Sequence, residues 1–375
     1  MARPAPLEGL KVVELARVLA GPFAGQVLAD LGAQVIKVES PEGDDTRHWG
    51  PPFIDNGDGT QDAAYFHAAN RGKSSVTADF RTPEGKALVL DLVRSADVVI
   101  ENFKVGGLAK YGLDYESLSQ VNPRLVYCSI TGFGQDGPYA KLPGYDFIIQ
   151  GMSGMMDLTG FPDGPPIKIG MAYADILTGL YAVIGIQAAL RMRERTGRGQ
   201  QVDCALMDSM VGTLANQAMN YFVTGQTPHR IGNAHPSIVP YEAFPVQDGW
   251  VIVAVGNDRQ FQRFCALLGM QMKDEWATNP QRVQHRAALC PLIAEHTRQW
   301  ERDALLAGLA RASIPAGPIH DVGEALTDPQ VLARGMVLEL EREMGPPVRG
   351  LKTPIAFSDA DLALGKASPR LGEDN

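Results

Sequence analysis

The chain has 375 residues, 45% of them apolar and 21% charged, which is the composition of a folded globular protein rather than a disordered or fibrous one. Its net charge of −9 argues against broad binding to nucleic acid or to anionic membrane surfaces. Four widely spaced cysteines predict neither a disulfide framework nor a zinc site. With no evident signal peptide or membrane span, we expect a cytoplasmic protein.

Short β-branched runs alternate with helical patterns over the first 131 residues. Residues 10–15 and 35–39 predict strands, and the helix between them begins at Gly21-Pro22 and ends near Gly32. The pattern recurs as a strand at 75–80, a helix at 82–95 and strands at 97–101 and 125–131. This alternation predicts an α/β fold with a mostly parallel, Rossmann-like sheet. The G-x-G-x-x-G fingerprint of dinucleotide-binding proteins does not follow the first strand.

The second half of the sequence predicts a smaller domain inserted into a larger one. A helix at 174–195 and a strand at 201–205 complete the first part of the large domain, which we place at 1–205. A segment rich in Gly, Pro and His then leads to a new strand at 249–255 and to several helices, so we place a small α/β domain at 226–325. Residues 330–375 are expected to return to the large domain.

Several segments, in this order along the chain, resemble the class III CoA-transferase family, also called the carnitine-dehydratase and bile-acid-inducible type. They include LEGLKVVELARVLAGP at 7–22, LGAQVIKVE at 31–39, PGYDFIIQGMSG at 143–154, GMAYADILTGLYA at 170–182 and TGRGQQVDCALMDSM at 196–210. The resemblance implies a large Rossmann-like domain built from both chain ends and a smaller middle domain. It also implies a homodimer of two interlocked rings.

The resemblance assigns the catalytic nucleophile to Asp175, in the stretch ADILTG. In this family an aspartate forms an anhydride with the acyl group and then a thioester with CoA. The predicted helix begins just here, and its positive dipole end is expected to keep the carboxylate ionised. The spacing alone favours Asp175 as a helix N-cap residue, and only the resemblance favours the nucleophile.

Tyr145 and Asp146 are further catalytic candidates. The related α-methylacyl-CoA racemases have a histidine at the position that matches Tyr145. Because tyrosine, with a pKa near 10, is a poor base at neutral pH, the substitution favours transfer over racemisation. Asp146 is predicted to orient the catalytic loop or the substrate, or alternatively to bond to the backbone of the turn that follows Pro143-Gly144.

The CoA thioester is expected as a substrate, with no tightly bound cofactor, no metal and no nucleic acid or membrane partner. The family's CoA contacts match eight positions: Arg17, Val18, Ala20, Ala78, Arg81, Asn102, Phe103 and Lys110. Residues 230–241 look most like the branch that exchanges CoA between succinate- and glutarate-type dicarboxylic acids. A dicarboxylate needs a cation for its distal end, and the candidates are Arg47, Arg230 and His235.

Three alternative functions remain open at this point. An α-methylacyl-CoA racemase or epimerase is disfavoured by Tyr145, and a nicotinamide-dependent oxidoreductase by the missing glycine fingerprint. A CoA-binding protein of the same fold without activity is disfavoured by the presence of Asp175. The predicted function is a homodimeric acyl-CoA:carboxylate CoA-transferase.

Overall fold

The computed structural model describes residues 3–375, and the chain forms two compact units. The large unit contains the chain up to Met155, Lys168–Val223 and Pro329–Asn375, and the small unit contains Met156–Ile167 and Thr224–Asp328. The predicted large domain therefore needs a correction, because Met156–Ile167 leaves it. Asp157 accepts a bond from the guanidinium of Arg230, and Gly232 N–H donates to the Gly160 carbonyl, which fixes this segment in the small unit.

The strands are mostly short, and those of the predicted βαβ pattern lie where the hydrophobic runs placed them. In chain order they are β1 (Lys11–Glu14), β2 (Gln34–Glu39), β3 (Phe53–Asp55), β4 (Gln61–Ala63), β5 (Lys73–Thr77), β6 (Val98–Glu101), β7 (Val126–Thr131), β8 (Gln201–Ala205), β9 (Tyr241–Val246), β10 (Gly249–Ala254), β11 (Ala316–Pro318), β12 (Val337–Leu340) and β13 (Val348–Leu351).

The helices range from single turns to one of 24 residues. In chain order they are α1 (Ala20–Asp30), α2 (Ala64–His67), α3 (Pro83–Arg94), α4 (Tyr115–Val121), α5 (Asp146–Met152), α6 (Met155–Leu158), α7 (Tyr173–Thr196), α8 (Leu206–Gly212), α9 (Ala215–Thr224), α10 (Asp258–Leu268), α11 (Asn279–Gln284), α12 (Arg286–Thr297), α13 (Arg302–Arg311), α14 (Val322–Thr327) and α15 (Pro329–Ala333).

The large unit is built on a parallel sheet with the strand order β5-β2-β1-β6-β7-β8. Every neighbouring pair in this sheet is parallel, which confirms the predicted α/β class. The chain first builds outward from β1 to β2 and β5, and then returns to place β6 on the other side of β1. The strand order therefore reverses between β1 and β6, and ligands of such sheets bind outside the carboxyl ends of the strands at that point.

Alternating strand residues face two different cores. Val12 and Val98 pack with α1 and α7 on one face, whereas Val13 and Val99 pack on the other face with Val89 of α3. Gly179 allows α7 to lie close to α1, since a Cβ atom there would be 2.7 Å from the carbonyl oxygen of Ala20. By length and hydropathy alone α7 also fits a membrane span, but residues along its length belong to the first of these cores.

The end of the chain follows the edge strand β5. Ser75 exchanges bonds with Asp374, because its N–H donates to the carboxylate at 2.8 Å and its carbonyl accepts from the Asp374 N–H at 2.9 Å. Thr77 N–H donates to the side-chain oxygen of Asn375 at 2.7 Å. The C-terminal residues therefore complete the large unit, as expected for 330–375.

The small unit contains an antiparallel sheet of order β11-β10-β9 with helices packed against it. Its core includes Phe244 and Val251 from the sheet and Phe261 from α10. Arg282 is buried in this unit, where its guanidinium bonds to Asp258 and lies over the ring of Phe261. These contacts give the small unit a core of its own.

Candidate active site

A cavity of about 640 Å³ lies in the large unit where the strand order reverses. That volume is in the range of sites for small molecules and cofactors. The loop after β1, the residues after β5 and β6 and the start of α7 form its walls. Tyr145 and Asp175 line this cavity. All eight positions predicted to bind CoA line it as well: Arg17, Val18, Ala20, Ala78, Arg81, Asn102, Phe103 and Lys110.

The loop between β1 and α1 is held in a strained conformation. Val18 has φ = 70°, a left-handed conformation that is rare for a β-branched residue. Its N–H donates to both carboxylate oxygens of Asp44, each at 3.2 Å. The Asn102 side chain bonds to both backbone groups of Arg17, the residue before Val18. It accepts from the Arg17 N–H at 2.9 Å and donates to the Arg17 carbonyl at 2.6 Å. The Asn102 side chain therefore shapes the cavity by holding its wall.

A network of buried charged side chains stabilises the loop between β1 and α1. Lys37 lies 2.8 Å from Asp44 and 3.1 Å from Glu14, and it donates to the Ala16 carbonyl at 2.9 Å. Burial by itself would raise the pKa of Asp44, but Lys37 and the donors of Thr46 outweigh it and lower that pKa to about 2. Asp44 is thus an anion at any physiological pH. In this charged form its carboxylate accepts the hydrogen bond from the Val18 N–H.

Cationic side chains stand at the exposed rim of the cavity. Arg17 lies over the ring of Phe103 and pairs with Asp45 at 3.1 Å, and Arg81 pairs with Asp79 at 2.8 Å. Lys110 lies over the ring of Tyr111. Exposed pairs of this kind contribute little to stability, so the phosphates of a ligand can replace the carboxylates at small cost.

Asp175 is the third residue of α7, and its place contradicts the N-cap alternative. The N-cap residue is Ala172, whose side chain makes no capping bond. A carboxylate from another helix supplies the cap instead: Ala174 N–H donates to Asp146 at 2.7 Å. In the described part of the chain no donor reaches the Asp175 carboxylate, which borders the cavity.

The electrostatics of Asp175 also correct the expectation that a helix end keeps it ionised. Burial and the nearby charge of Asp146 raise the pKa of Asp175 to about 7. Asp146 occupies an N–H group at the start of the helix and adds a negative charge, so the helix end stabilises Asp146 rather than Asp175. Asp146 therefore bonds to the backbone of α7, and not to its own turn.

A second polar side chain of α5 completes this arrangement. Gln150 is fully buried and donates to Asp146 at 2.7 Å and to the Met171 carbonyl at 3.3 Å. Its side-chain oxygen accepts from Ile169 N–H at 2.9 Å. Asp146 and Gln150 together bind the segment that leads into α7.

Of the predicted substrate cations, only Arg47 belongs to the large unit, and it does not line this cavity. Arg47 is only 2% exposed, lies over the ring of Phe66 and forms ion pairs with Glu39 and Asp62, so its assignment as a substrate contact is wrong. The buried carboxylates already use its charge. Arg230 and His235 belong to the small unit, where Arg230 bonds to Asp157, and their contact with substrate stays a prediction.

Sequence reasoning missed four residues of the site. Burial and the charges of Asp175 and Asp146 raise the pKa of Tyr65 to about 12, so the phenol is within the electrostatic influence of both carboxylates. No motif marks Tyr65, and the family segment at 31–39 contains Lys37 without indicating that it pairs with Asp44. A signal did exist for Gln150, since it follows Asp146 by four residues, a spacing that brings two side chains of a helix together.

Comparison with known proteins identifies the family. The sequence model of CoA-transferase family III matches residues 7–375. The chain belongs to CoA-transferase family III. It is 56% identical to the succinate–glutarate CoA-transferase of Agrobacterium fabrum, over 99% of this chain and 94% of that protein. It is 39% identical to the human succinyl-CoA:glutarate CoA-transferase, over 98% of this chain and 84% of the human protein.

A solved structure agrees with this membership of CoA-transferase family III. The crystal structure of a CaiB/BaiF family protein from Brucella suis matches with a TM-score of 0.90 and 62% sequence identity, over 99% of this chain and 97% of that one. The predicted resemblance is therefore confirmed, and this family III member is an enzyme that acts on acyl-CoA and carboxylate substrates.

Proposed function

We propose that this family III enzyme moves CoA between succinate- and glutarate-type dicarboxylic acids, with Asp175 as the covalent nucleophile. The observation that carries the proposal is the Asp175 carboxylate, which borders the cavity and receives no hydrogen bond from residues 3–375, while the predicted CoA positions line the same walls. The names of two relatives, one of them 56% identical, support the choice of acids.

The proposed reaction divides the exchange into balanced steps. An Asp175 oxygen attacks the thioester carbonyl of the donor, the carbon–sulfur bond breaks, and an anhydride and the CoA thiolate result. The thiolate then attacks the aspartyl carbonyl, which releases the donor acid as a carboxylate and leaves an aspartyl-CoA thioester. The acceptor carboxylate attacks this thioester, and the thiolate finally attacks the acyl carbonyl of the new anhydride. Asp175 is regenerated and no net proton is consumed.

The two carboxylates beside α7 have different parts in this proposal. Asp146 is held by the Ala174 N–H and by Gln150, so it serves as an anchor. Asp175 has a raised pKa, and its lone pairs are not engaged by a donor of the described chain. In the proposal the two acids therefore divide the roles of anchor and nucleophile.

The first test incubates the purified protein with succinyl-CoA and a panel of dicarboxylic acids, and follows new CoA esters by mass spectrometry. We expect glutaryl-CoA from the wild type and none from Asp175→Asn. Asp208→Asn is the matched control, because Asp208 is an exposed aspartate in the first turn of the neighbouring helix α8. Ester formation by Asp175→Asn at the wild-type rate would overturn the nucleophile.

A second test follows oxygen. With glutarate labelled by ¹⁸O in its carboxylates, the last step leaves one acceptor oxygen on Asp175. Mass spectrometry of the peptide that contains Asp175 should show a gain of 2 Da per turnover of labelled acid, up to two oxygens (about 4 Da). Transfer activity without label in that peptide would exclude the anhydride route.

The homodimer predicted from the resemblance is part of the same proposal. Large apolar side chains of the large unit are exposed, among them Ile184 of α7 and Phe222 and Val223 of α9. Apolar surface of this kind usually marks an interface. Light scattering coupled to size exclusion should give about twice the chain mass of 40.4 kDa, and a monomer active at assay concentration would contradict the dimer.

A further inference from the structure

The segment before α7 is fastened to the large unit by a side chain with no assigned part in the reaction. Gln150 lies on α5, is fully buried, and contacts three groups: the Asp146 carboxylate, the Ile169 N–H and the Met171 carbonyl. We propose that Gln150 is a positioning residue of the transfer reaction, which fixes the Asp146 carboxylate as the cap of α7 and thereby sets the place of Asp175. This inference rests on the function proposed above.

The start of α7 depends on this contact because it has no cap of its own. The Ala172 side chain cannot accept a bond, so Asp146 provides the only side-chain oxygen at the Ala174 N–H among the described residues. One Asp146 oxygen serves the helix and the other is held by Gln150. Asp175 is the next residue after Ala174, so any rotation of the Asp146 carboxylate displaces the reactive group directly.

The three partners of Gln150 fix the orientation of its amide. The NH₂ group faces two acceptors, Asp146 and the Met171 carbonyl, and the oxygen faces one donor, the Ile169 N–H. The reversed amide would place oxygen against oxygen twice and N–H against N–H once. Since the side chain is buried, water cannot compensate for such a mismatch. The arrangement therefore has one stable form.

The charge environment of Asp175 follows from the same geometry. In the described chain, the charge of Asp146 on α5 acts on Asp175, and the charge of Asp175 acts in turn on the phenol of Tyr65 on α2. Gln150 keeps the Asp146 carboxylate, and hence its charge, in one place relative to Asp175. Loss of the amide donor leaves the Asp146 carboxylate free to rotate away from Asp175, which reduces the repulsion that Asp175 experiences.

Two substitutions test the proposal, with a matched control. Gln150→Leu keeps the size of the side chain and removes its bonds. Gln150→Glu keeps the shape, but its carboxyl can donate to Asp146 only when it is protonated. Gln26→Leu is the control, because Gln26 is also buried and also bridges two backbone groups, the Ala68 carbonyl and the Arg71 N–H, without contacting Asp146.

The kinetic readout is the pH profile of kcat and of kcat/KM. We expect Gln150→Leu to lower kcat by about 10- to 100-fold, with the acidic limb of kcat/KM moved to lower pH, while KM for CoA esters changes less. Gln150→Glu should retain more activity at pH 6 than at pH 8, relative to wild type. Profiles that keep the wild-type shape, or a uniform loss equal to that of Gln26→Leu, would overturn the positioning role.

A second readout does not depend on transfer activity. The stability gained by Asp175→Asn, measured by urea unfolding from pH 4.5 to pH 8.5, reports the pKa of Asp175 by linkage. The midpoint of that gain should shift to lower pH in the Gln150→Leu background and should not shift in the Gln26→Leu background. An unshifted midpoint contradicts the inference about Gln150 even if Asp175 is the nucleophile, whereas a shift in a protein without transferase activity contradicts only the proposed function.

Discussion

Two aspartates beside the same cavity show how the partner of a buried carboxylate decides its chemistry. Asp44 lies against the ammonium of Lys37 and has its pKa lowered to about 2, whereas Asp175 lies near the carboxylate of Asp146 and has its pKa raised to about 7. Burial acts against the charged form in both cases. The first is a fixed anion that holds the wall of the cavity, and the second is a carboxylate that gains or loses its proton near neutral pH.

Removal of the fixed anion should have the largest effect. Asp44→Asn leaves Lys37 with one fewer partner and weakens the hold on Val18, and we expect it to lower the free energy of unfolding by about 3–5 kcal/mol, as for other broken buried ion pairs. Urea unfolding at pH 7 measures this change. The exposed neighbour Asp45, which pairs with Arg17, is the control, and Asp45→Asn should cost less than about 1 kcal/mol. Similar losses for both variants would contradict the distinction.

The pH dependence of the reaction tests the raised pKa of Asp175. Asp175 attacks only as a carboxylate, and a pKa of about 7 means that protonation removes the nucleophile below neutral pH. We therefore expect kcat/KM to rise about tenfold from pH 6 to pH 8 and then to level off. Enzyme held at pH 6 and assayed at pH 8 separates titration from inactivation. A limb centred near pH 4 would mean that Asp175 behaves as an ordinary surface aspartate.

The same raised pKa predicts a gain in stability when the nucleophile is removed. Between about pH 4 and pH 7 the folded state holds a proton on Asp175 that the unfolded chain releases, so the contribution of this group falls as the pH rises through that window. Asp175→Asn has no ionisable group at this position and therefore does not lose stability in this pH range. We expect its Tm to exceed that of the wild type by about 2–4 °C at pH 8 and to match it near pH 4. A lower Tm at pH 8 would argue against a destabilising charge at this position.

The smallest expected effect concerns the strained residue that Asp44 holds. Val18→Gly relieves the left-handed conformation and adds chain entropy to the unfolded state, so the net change should stay within about 1 kcal/mol. The informative quantity is the coupling in a double-mutant cycle. Asp44→Asn should cost about 1 kcal/mol less in the Val18→Gly background, and additive effects would show that Asp44 does not stabilise the strained loop.

The sheet and the place of Asp175 near the start of a helix could be predicted from the sequence because their signals are local. The β-branched runs at β1, β2 and β6 and the Gly residues between them determine the βαβ pattern, and the ADILTG segment carries the family resemblance that led to Asp175. The spacing of the cysteines argues against a disulfide framework or a zinc site, and the missing glycine fingerprint argues against a nicotinamide-dependent oxidoreductase.

The electrostatic environment could not be predicted, because its partners are distant in sequence. Arg47 looks like a loop cation until the fold brings Glu39, Asp62 and the Pro369 carbonyl around it. Asp146 is 28 residues from the N–H group that it caps. A local pattern contains no information on such pairs, and the pKa of Asp175 depends on one of them.

The contact between the C-terminal residues and β5 also has a consequence for how the protein is made. Bonds between Ser75 and Asp374 and between Thr77 and Asn375 join positions about 300 residues apart. A nascent chain therefore forms β5 long before the residues that cover this edge of the sheet have been synthesised. During that interval the edge strand can pair with another chain. Changes in the last residues that break these bonds should leave the edge uncovered in the finished chain as well, and should thus increase its aggregation although these residues do not line the cavity.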